Sequence, residues 1–236
     1  MNAAAPSRRV DGILFDKDGT LFDFHATWSV WAYGVIRDLA GGDTALMDRL
    51  AAAADYDLAR RRFRPGSPII AGTNREAAEC LARALPRRAV EEIEVYLMHS
   101  AARAPLAPAV PLAPFLDGLA LTGLRLGVMT NDTEHGARAH LGAAGVIEHF
   151  HFIAGFDSGH GQKPSPAPLL AFATAMALDP ARIAMVGDST HDLMAGRAAG
   201  MQTIGVLTGP AQEAELAPLA DAVLPDIGHI PGWLAG

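Results

Sequence analysis

Six short apolar runs punctuate this chain, and each stops where polar or glycine residues begin: Val10–Phe15, Leu124–Met129, His151–Ala154, Ile183–Val186, Thr203–Leu207 and Ala222–Leu224. Runs of this length without polar alternation predict strands buried on both faces. Between and after the later runs, Glu134–Ala144, Pro166–Ala177, His191–Ala199 and Ala211–Leu219 carry the pattern of helices. Strand alternating with helix predicts an α/β fold, a three-layer sandwich around a parallel sheet.

The interval 24–107 has a different texture, with helical patterns and no convincing strand. Phe24, Trp28, Trp31 and Val35 fall at spacings of one helix face, with the tryptophans expected to form core. Ala45–Phe63, Arg75–Leu85 and Arg88–Arg103 read as further helices, with Pro65-Gly66-Ser67-Pro68 breaking the first of these from the second. The proline-studded APLAPAVPLAP that follows suits a returning linker. The expected organisation is a core domain of residues 1–23 and 108–236, with a helical domain, 24–107, inserted after the first strand.

Composition narrows the function. The 236 residues carry a net charge of −7, which disfavours nucleic acid as a partner because a phosphate backbone calls for a basic face. No run approaches the roughly 18–20 apolar residues of a membrane span, and no leader peptide is read at the start. The single Cys80 excludes an internal disulfide. The expectation is a soluble, cytoplasmic protein. Of 19 basic side chains only two are lysines, Lys17 and Lys163, which marks both as places to look. Lysine's compact ammonium and arginine's planar fork are not interchangeable at a confined site.

Four clusters carry candidate chemistry. Asp16-Lys17-Asp18-Gly19-Thr20 follows the first strand, where open α/β sheets bind ligands. Two carboxylates at i and i+2 can face one bound species if Gly19 lets the chain turn; an acidic turn is the bland alternative. Lys17 should point away from Asp16, toward packing or a contact with the helical domain. Gly187-Asp188-Ser189-Thr190-His191-Asp192 also ends a strand and opens a helix; helix capping explains one of its acidic residues better than two. Thr130 and Asn131, again at a strand end, can offer a hydroxyl and a backbone N–H to an anionic oxygen. Lys163, between Gln162 and Pro164, offers one point charge on a constrained backbone. An EF-hand is excluded for the first cluster, because its further acidic ligands and closing Glu do not follow.

Taken in order, DKDGT, the strand-end Thr130, Lys163 and GDSTHD resemble the haloacid dehalogenase superfamily, and within it the capped, phosphoglycolate phosphatase-like hydrolases. The resemblance covers nearly the whole chain. It implies a Rossmann-like core with an inserted α-helical cap, Mg²⁺ as cofactor and a small phosphorylated metabolite as partner. It further implies that Asp16 attacks phosphorus to form an aspartyl-phosphate and that Asp18 serves as acid and then base. Mg²⁺ would be held by Asp16, the Asp18 carbonyl and Asp188, with Asp192 behind them. Gly19, Thr130, Asn131 and Lys163 would hold the phosphoryl group.

A sugar-phosphate mutase of the same fold shares all four motifs and stays open; a non-catalytic binding or regulatory protein on the same fold is the further alternative, disfavoured because no catalytic position is substituted. A phosphonatase relative is excluded by the lack of lysine in 24–107. Substrate selection would fall to the cap, where Arg64, Ser67 and His25 are the candidates. The run Arg60–Arg64 is otherwise expected to be a basic helix end.

Overall fold

Gly12–Phe15 forms strand β1, and all four residues are buried. The computed structural model of the chain describes residues 9–64, 66–70 and 73–236. After β1 come helices α1 (Val30–Ala40) and α2 (Thr44–Ala53), strands β2 (Tyr56–Asp57) and β3 (Arg62–Phe63), and helices α3 (Asn74–Ala82) and α4 (Val90–Ala101). The chain continues through α5 (Leu112–Leu121), β4 (Arg125–Met129), α6 (Glu134–Ala143), β5 (Phe152–Ala154), α7 (Ala167–Met176) and β6 (Ile183–Gly187). It ends with α8 (Thr190–Ala198), β7 (Gln202–Val206), α9 (Glu213–Leu216), β8 (Ala222–Leu224) and α10 (Ile230–Ala235).

The six longer-range strands make one parallel sheet in the order β5-β4-β1-β6-β7-β8. The chain moves outward from β1 through β4 to β5, then crosses back to β6. Such a reversal opens a crevice at the carboxyl ends of the central strands. Side-chain alternation divides the sheet into two buried faces. Leu14, Met129 and Met185 share a core with Leu169 and Phe172 of α7 and Ala195 of α8. Phe15, one position on, instead meets Phe115 of α5, their ring centroids 6.3 Å apart. Helices therefore cover both faces, and the expected three-layer α/β arrangement is present.

By contacts the chain divides into two compact units: the described part of Met1–Asp23 with Pro108–Gly236, and Phe24–Ala107. The second has its own core, in which Phe24, Val35, Leu39, Leu50, Ile93 and Leu97 are buried. Trp28 and Trp31 pack against it and meet each other edge to face, and Trp31 Nε1 donates to Ser100 Oγ at 2.9 Å. Among the described residues, no helix is long and apolar enough to cross a membrane.

Three expectations need correction. Ala45–Phe63 is not one helix, and the helical unit is not free of strands. Asp55 and Arg61 adopt left-handed backbone (φ 47° and 51°), which ends α2 and turns the chain between β2 and β3. Asp57 accepts from Arg60 N within that turn. Tyr56 and Phe63, seven apart, fit a helix face equally well, but they are cross-strand partners with ring centroids 5.3 Å apart. The arginine run is thus a hairpin, not a basic helix end.

Second, the proline-rich return runs into α5, whose Leu112, Leu116 and Leu119 are buried. Pro111 caps this helix and Pro114 lies in its first turn, where backbone N–H groups have no helical partner to lose. Third, β1 starts at Gly12, α9 is shorter than Ala211–Leu219, and α10 was not anticipated. Pro65 of the expected break, and residues 1–8 of the leader reading, lie outside the described residues.

Candidate active site

Parallel register brings three motif strands to one edge. Phe15 of β1 lies level with Val128 of β4 and Val186 of β6, so Asp16, Thr130 and Asp188 all emerge just beyond the same sheet level. Asp16 N donates to Val186 O at 2.8 Å, extending the ladder to the carboxylate itself.

Lys163 arrives from the segment before α7 and is 3% exposed. Its Nζ donates to Asp16 Oδ1 at 2.6 Å and to Met129 O at 2.9 Å, and forms an ion pair with Asp192 Oδ1 at 2.6 Å. Asn131 fixes the lysine's backbone with both ends of its amide: Lys163 N donates to Oδ1 and Asn131 Nδ2 donates to Lys163 O, each at 3.0 Å. The strand-end position of Asn131 pointed to its backbone N–H, and this side-chain clamp was not foreseen. Thr130 is buried, and its Oγ1 accepts from Asp132 N at 3.1 Å, leaving the hydroxyl proton available to a ligand.

In the second acidic cluster, Ser189 caps α8 and Asp192 closes a capping box, accepting at Oδ2 from Ser189 N and Oγ. Capping therefore explains Asp192, while its other oxygen holds Lys163. Asp188, 4% exposed, takes no part in the cap box. It lies against Gly19 and Gly209: a Cβ on either would collide with its carboxylate. Gly19 also needs its positive φ of 84° for the turn. Thr208 Oγ1 donates to Gly19 O at 2.6 Å, locking the loop after β7 onto the loop after β1. The Thr208-Gly209 pair was missed in the sequence, although a Thr-Gly-Pro at a strand end carried the same positional signal as the other clusters.

Asp16, Asp188 and Asp192 each offer a carboxylate oxygen within 4.8 Å of the others. With Asp192 engaged by Lys163 and Ser189, Asp16 and Asp188 are the pair left to a cation. Burial pushes the Asp16 carboxyl up to about 7, against the pull of Lys163 and with help from Asp192 and Asp18. Burial, then Asp16 and Asp192, hold Asp188 well above the ordinary range. Burial draws the Lys163 ammonium down, but Asp16 and Asp192 outweigh it and raise it. Two adjacent carboxyls whose ionisation is disfavoured first by burial are a donor set that a hard divalent cation would satisfy.

A pH prediction follows from the raised carboxyl. Between its ordinary value of 3.8 and about 7, folded Asp16 keeps a proton that the unfolded chain has released. Its contribution to stability therefore falls as pH rises through that window. A cation that binds the ionised pair reverses the loss, so Mg²⁺ should raise the melting temperature more at about pH 8 than at about pH 5. Thermal melts in Mg²⁺ and in EDTA at both pH values check this; an equal Mg²⁺ effect at the two would contradict it.

The other lysine is also wholly buried. Lys17 Nζ lies 2.8 and 2.7 Å from the two Asp18 oxygens, 3.2 Å from Asp132 Oδ2 and 3.0 Å from His140 Nδ1 of α6. Burial lowers its pKa, but Asp18 and Asp132 more than offset this, leaving it raised.

The three candidates in the helical unit fare differently. Ser67 is buried, and its hydroxyl donates to Ala54 O at 2.6 Å, a packing role. Arg64 is exposed, 3.9 Å from Asp55 Oδ1, and lines a hollow of about 370 Å³ with Asp48, Asp55 and Tyr56. His25 Nδ1 lies 3.2 Å from Ser29 Oγ in a turn of π-helix, His25–Ser29.

Residues 10–200 match the model of the haloacid dehalogenase-like hydrolases. A phosphoglycolate phosphatase of Shigella boydii is 30% identical over 216 residues, covering 85% of this chain and 82% of that one. One of Neisseria meningitidis is 40% identical over 119 residues, 48% of this chain; the match spans about half of that relative's length (50%). In solved structures, a HAD family hydrolase of Deinococcus radiodurans R1 with bound phosphate and sodium superposes with a TM-score of 0.70 at 21% identity, covering 96% of each chain. A candidate β-phosphoglucomutase of Thermotoga maritima does so with 0.73 at 20%, covering 95% of this chain and 98% of that one.

Proposed function

The chain belongs to the haloacid dehalogenase-like hydrolase family, and from that premise we propose that it hydrolyses a small organic phosphate monoester through a phosphorylated Asp16. The supporting observation is the convergence on Asp16 of Lys163, Asp188 and Asp192, drawn from two other stretches of chain. Phosphoglycolate is the first ester to test, because relatives of this chain are phosphoglycolate phosphatases.

Asp16 attacks phosphorus with a carboxylate oxygen; the P–O bond to the alcohol breaks, and the leaving alkoxide takes the proton of Asp18. Water then attacks the phosphorus of the aspartyl-phosphate and gives a proton to Asp18. The P–O bond to Asp16 breaks, releasing inorganic phosphate and restoring the carboxylate. Lys163 holds Asp16 in line and opposes the negative charge of the phosphoryl oxygens, with Thr130 donating to one of them. Asp192 keeps Lys163 in place, and the Asn131 amide sets its backbone. Mg²⁺, held by Asp16, Asp188 and the Asp18 carbonyl, would supply further charge neutralisation.

Release of inorganic phosphate from phosphoglycolate and other small esters tests this. Release is expected with Mg²⁺, should stop in EDTA and should return when Mg²⁺ is restored. A folded, Mg²⁺-binding protein that releases none would sink the reading. Transfer of phosphoryl to a sugar phosphate in place of water would replace it with a mutase.

A further inference from the structure

Lys17 has no role in the reaction as written, although it is one of only two lysines and is 0% exposed. Burying an ammonium is costly unless acceptors meet its hydrogens. Here the acceptors come from three places: Asp18 on the β1 loop, Asp132 on the β4–α6 loop and His140 in α6. An ammonium only donates, so His140 Nδ1 accepts, and the ring is the neutral tautomer with its proton on Nε2. The grip on Asp18 is two-sided, because one nitrogen straddles both oxygens at 2.8 and 2.7 Å. Such a contact sets the plane of the carboxyl group, not merely its charge. Asp132 and His140 in turn stop the ammonium from following Asp18 if that side chain, 21% exposed, swings.

We propose that Lys17 is the positioning residue of Asp18: anchored by Asp132 and His140, it holds the Asp18 carboxyl in the orientation from which the proton is exchanged. The proposal rests on the phosphatase reading. It differs from a purely structural ion pair in what it does to the two halves of the reaction. Asp18 protonates a poor alkoxide leaving group and later activates water. A p-nitrophenolate group leaves without that proton, whereas hydrolysis of the aspartyl-phosphate still needs the base.

Lys17→Met keeps the length and removes the grip. With phosphoglycolate, kcat is expected to fall about 10²- to 10³-fold, the usual worth of a positioned acid or base, with KM nearly unchanged. With p-nitrophenyl phosphate, a rapid burst of p-nitrophenolate approaching one per enzyme should survive, followed by a slow steady rate. His140→Leu, which loosens the anchor only, should show the same split at smaller size, and it decides the matter if Lys17→Met does not fold. Unchanged kcat in a folded variant would overturn the proposal, as would a uniform loss on both esters without a burst. Failure of the unsubstituted protein to turn over either ester would overturn the phosphatase reading itself, a separate result.

Discussion

Lys163→Ala is expected to lower kcat by about 10³- to 10⁴-fold, the range for losing a charge that faces a transferring phosphoryl group. One ammonium meets Asp16, Asp192 and the Met129 carbonyl, so removal undoes three contacts together. Asp16, Asp188 and Asp192 would then face one another in a buried space with no cation of the protein's own among them. Breaking a buried pair by removing one partner costs on the order of 3 kcal/mol, so the metal-free variant should also unfold at lower urea. Lys163→Met separates the effects, because it fills the volume without the charge. Steady-state kinetics and urea melts of both variants check this. Turnover near normal in either would remove Lys163 from the mechanism.

Asp16→Asn should have the largest effect on activity and the opposite effect on stability. An amide oxygen does not form the acyl phosphate, so turnover is expected to fall by about 10⁵-fold or more, as for nucleophiles elsewhere. Acid-quenched enzyme incubated with substrate should carry a phosphoryl group in the unsubstituted protein and none in the variant. Burial pushes the Asp16 carboxyl up to about 7, so above that pH the folded protein holds an ionised group it disfavours. Asparagine keeps an acceptor for Lys163 and has nothing to ionise. In EDTA at about pH 8 the variant should therefore melt higher than the unsubstituted protein. A variant that both turns over and melts lower would contradict the assignment on two independent counts.

What could be read from the sequence was local. The sheet strands are apolar runs a few residues long, and β4 and β6 lie almost where those runs predicted. Strands buried on both faces leave that mark without reference to neighbours. The clusters DKDGT and GDSTHD could be placed because chemistry-bearing residues sit at strand ends, and strand ends are visible once strands are. Rarity helped as well: both lysines proved to be buried among carboxylates.

What the sequence misread had a local signal with two solutions. Tyr56 and Phe63 suit one helix face or two paired strands, and the left-handed backbone at Asp55 and Arg61 selects the second. The prolines before α5 resemble a linker because only position within the helix makes them harmless.

The rest was decided by tertiary structure alone. Asn131 clamps Lys163 across 32 residues, His140 anchors Lys17 across 123, and Lys163 reaches Asp16 across 147. Gly209 is required because Asp188 occupies the place of its absent side chain. Residue types and their order along the chain determined which groups were available and at which strand ends they stand. Parallel register and close packing determined which of them touch, because a hydrogen bond needs atoms within about 3 Å, a condition that spacing along a chain does not encode.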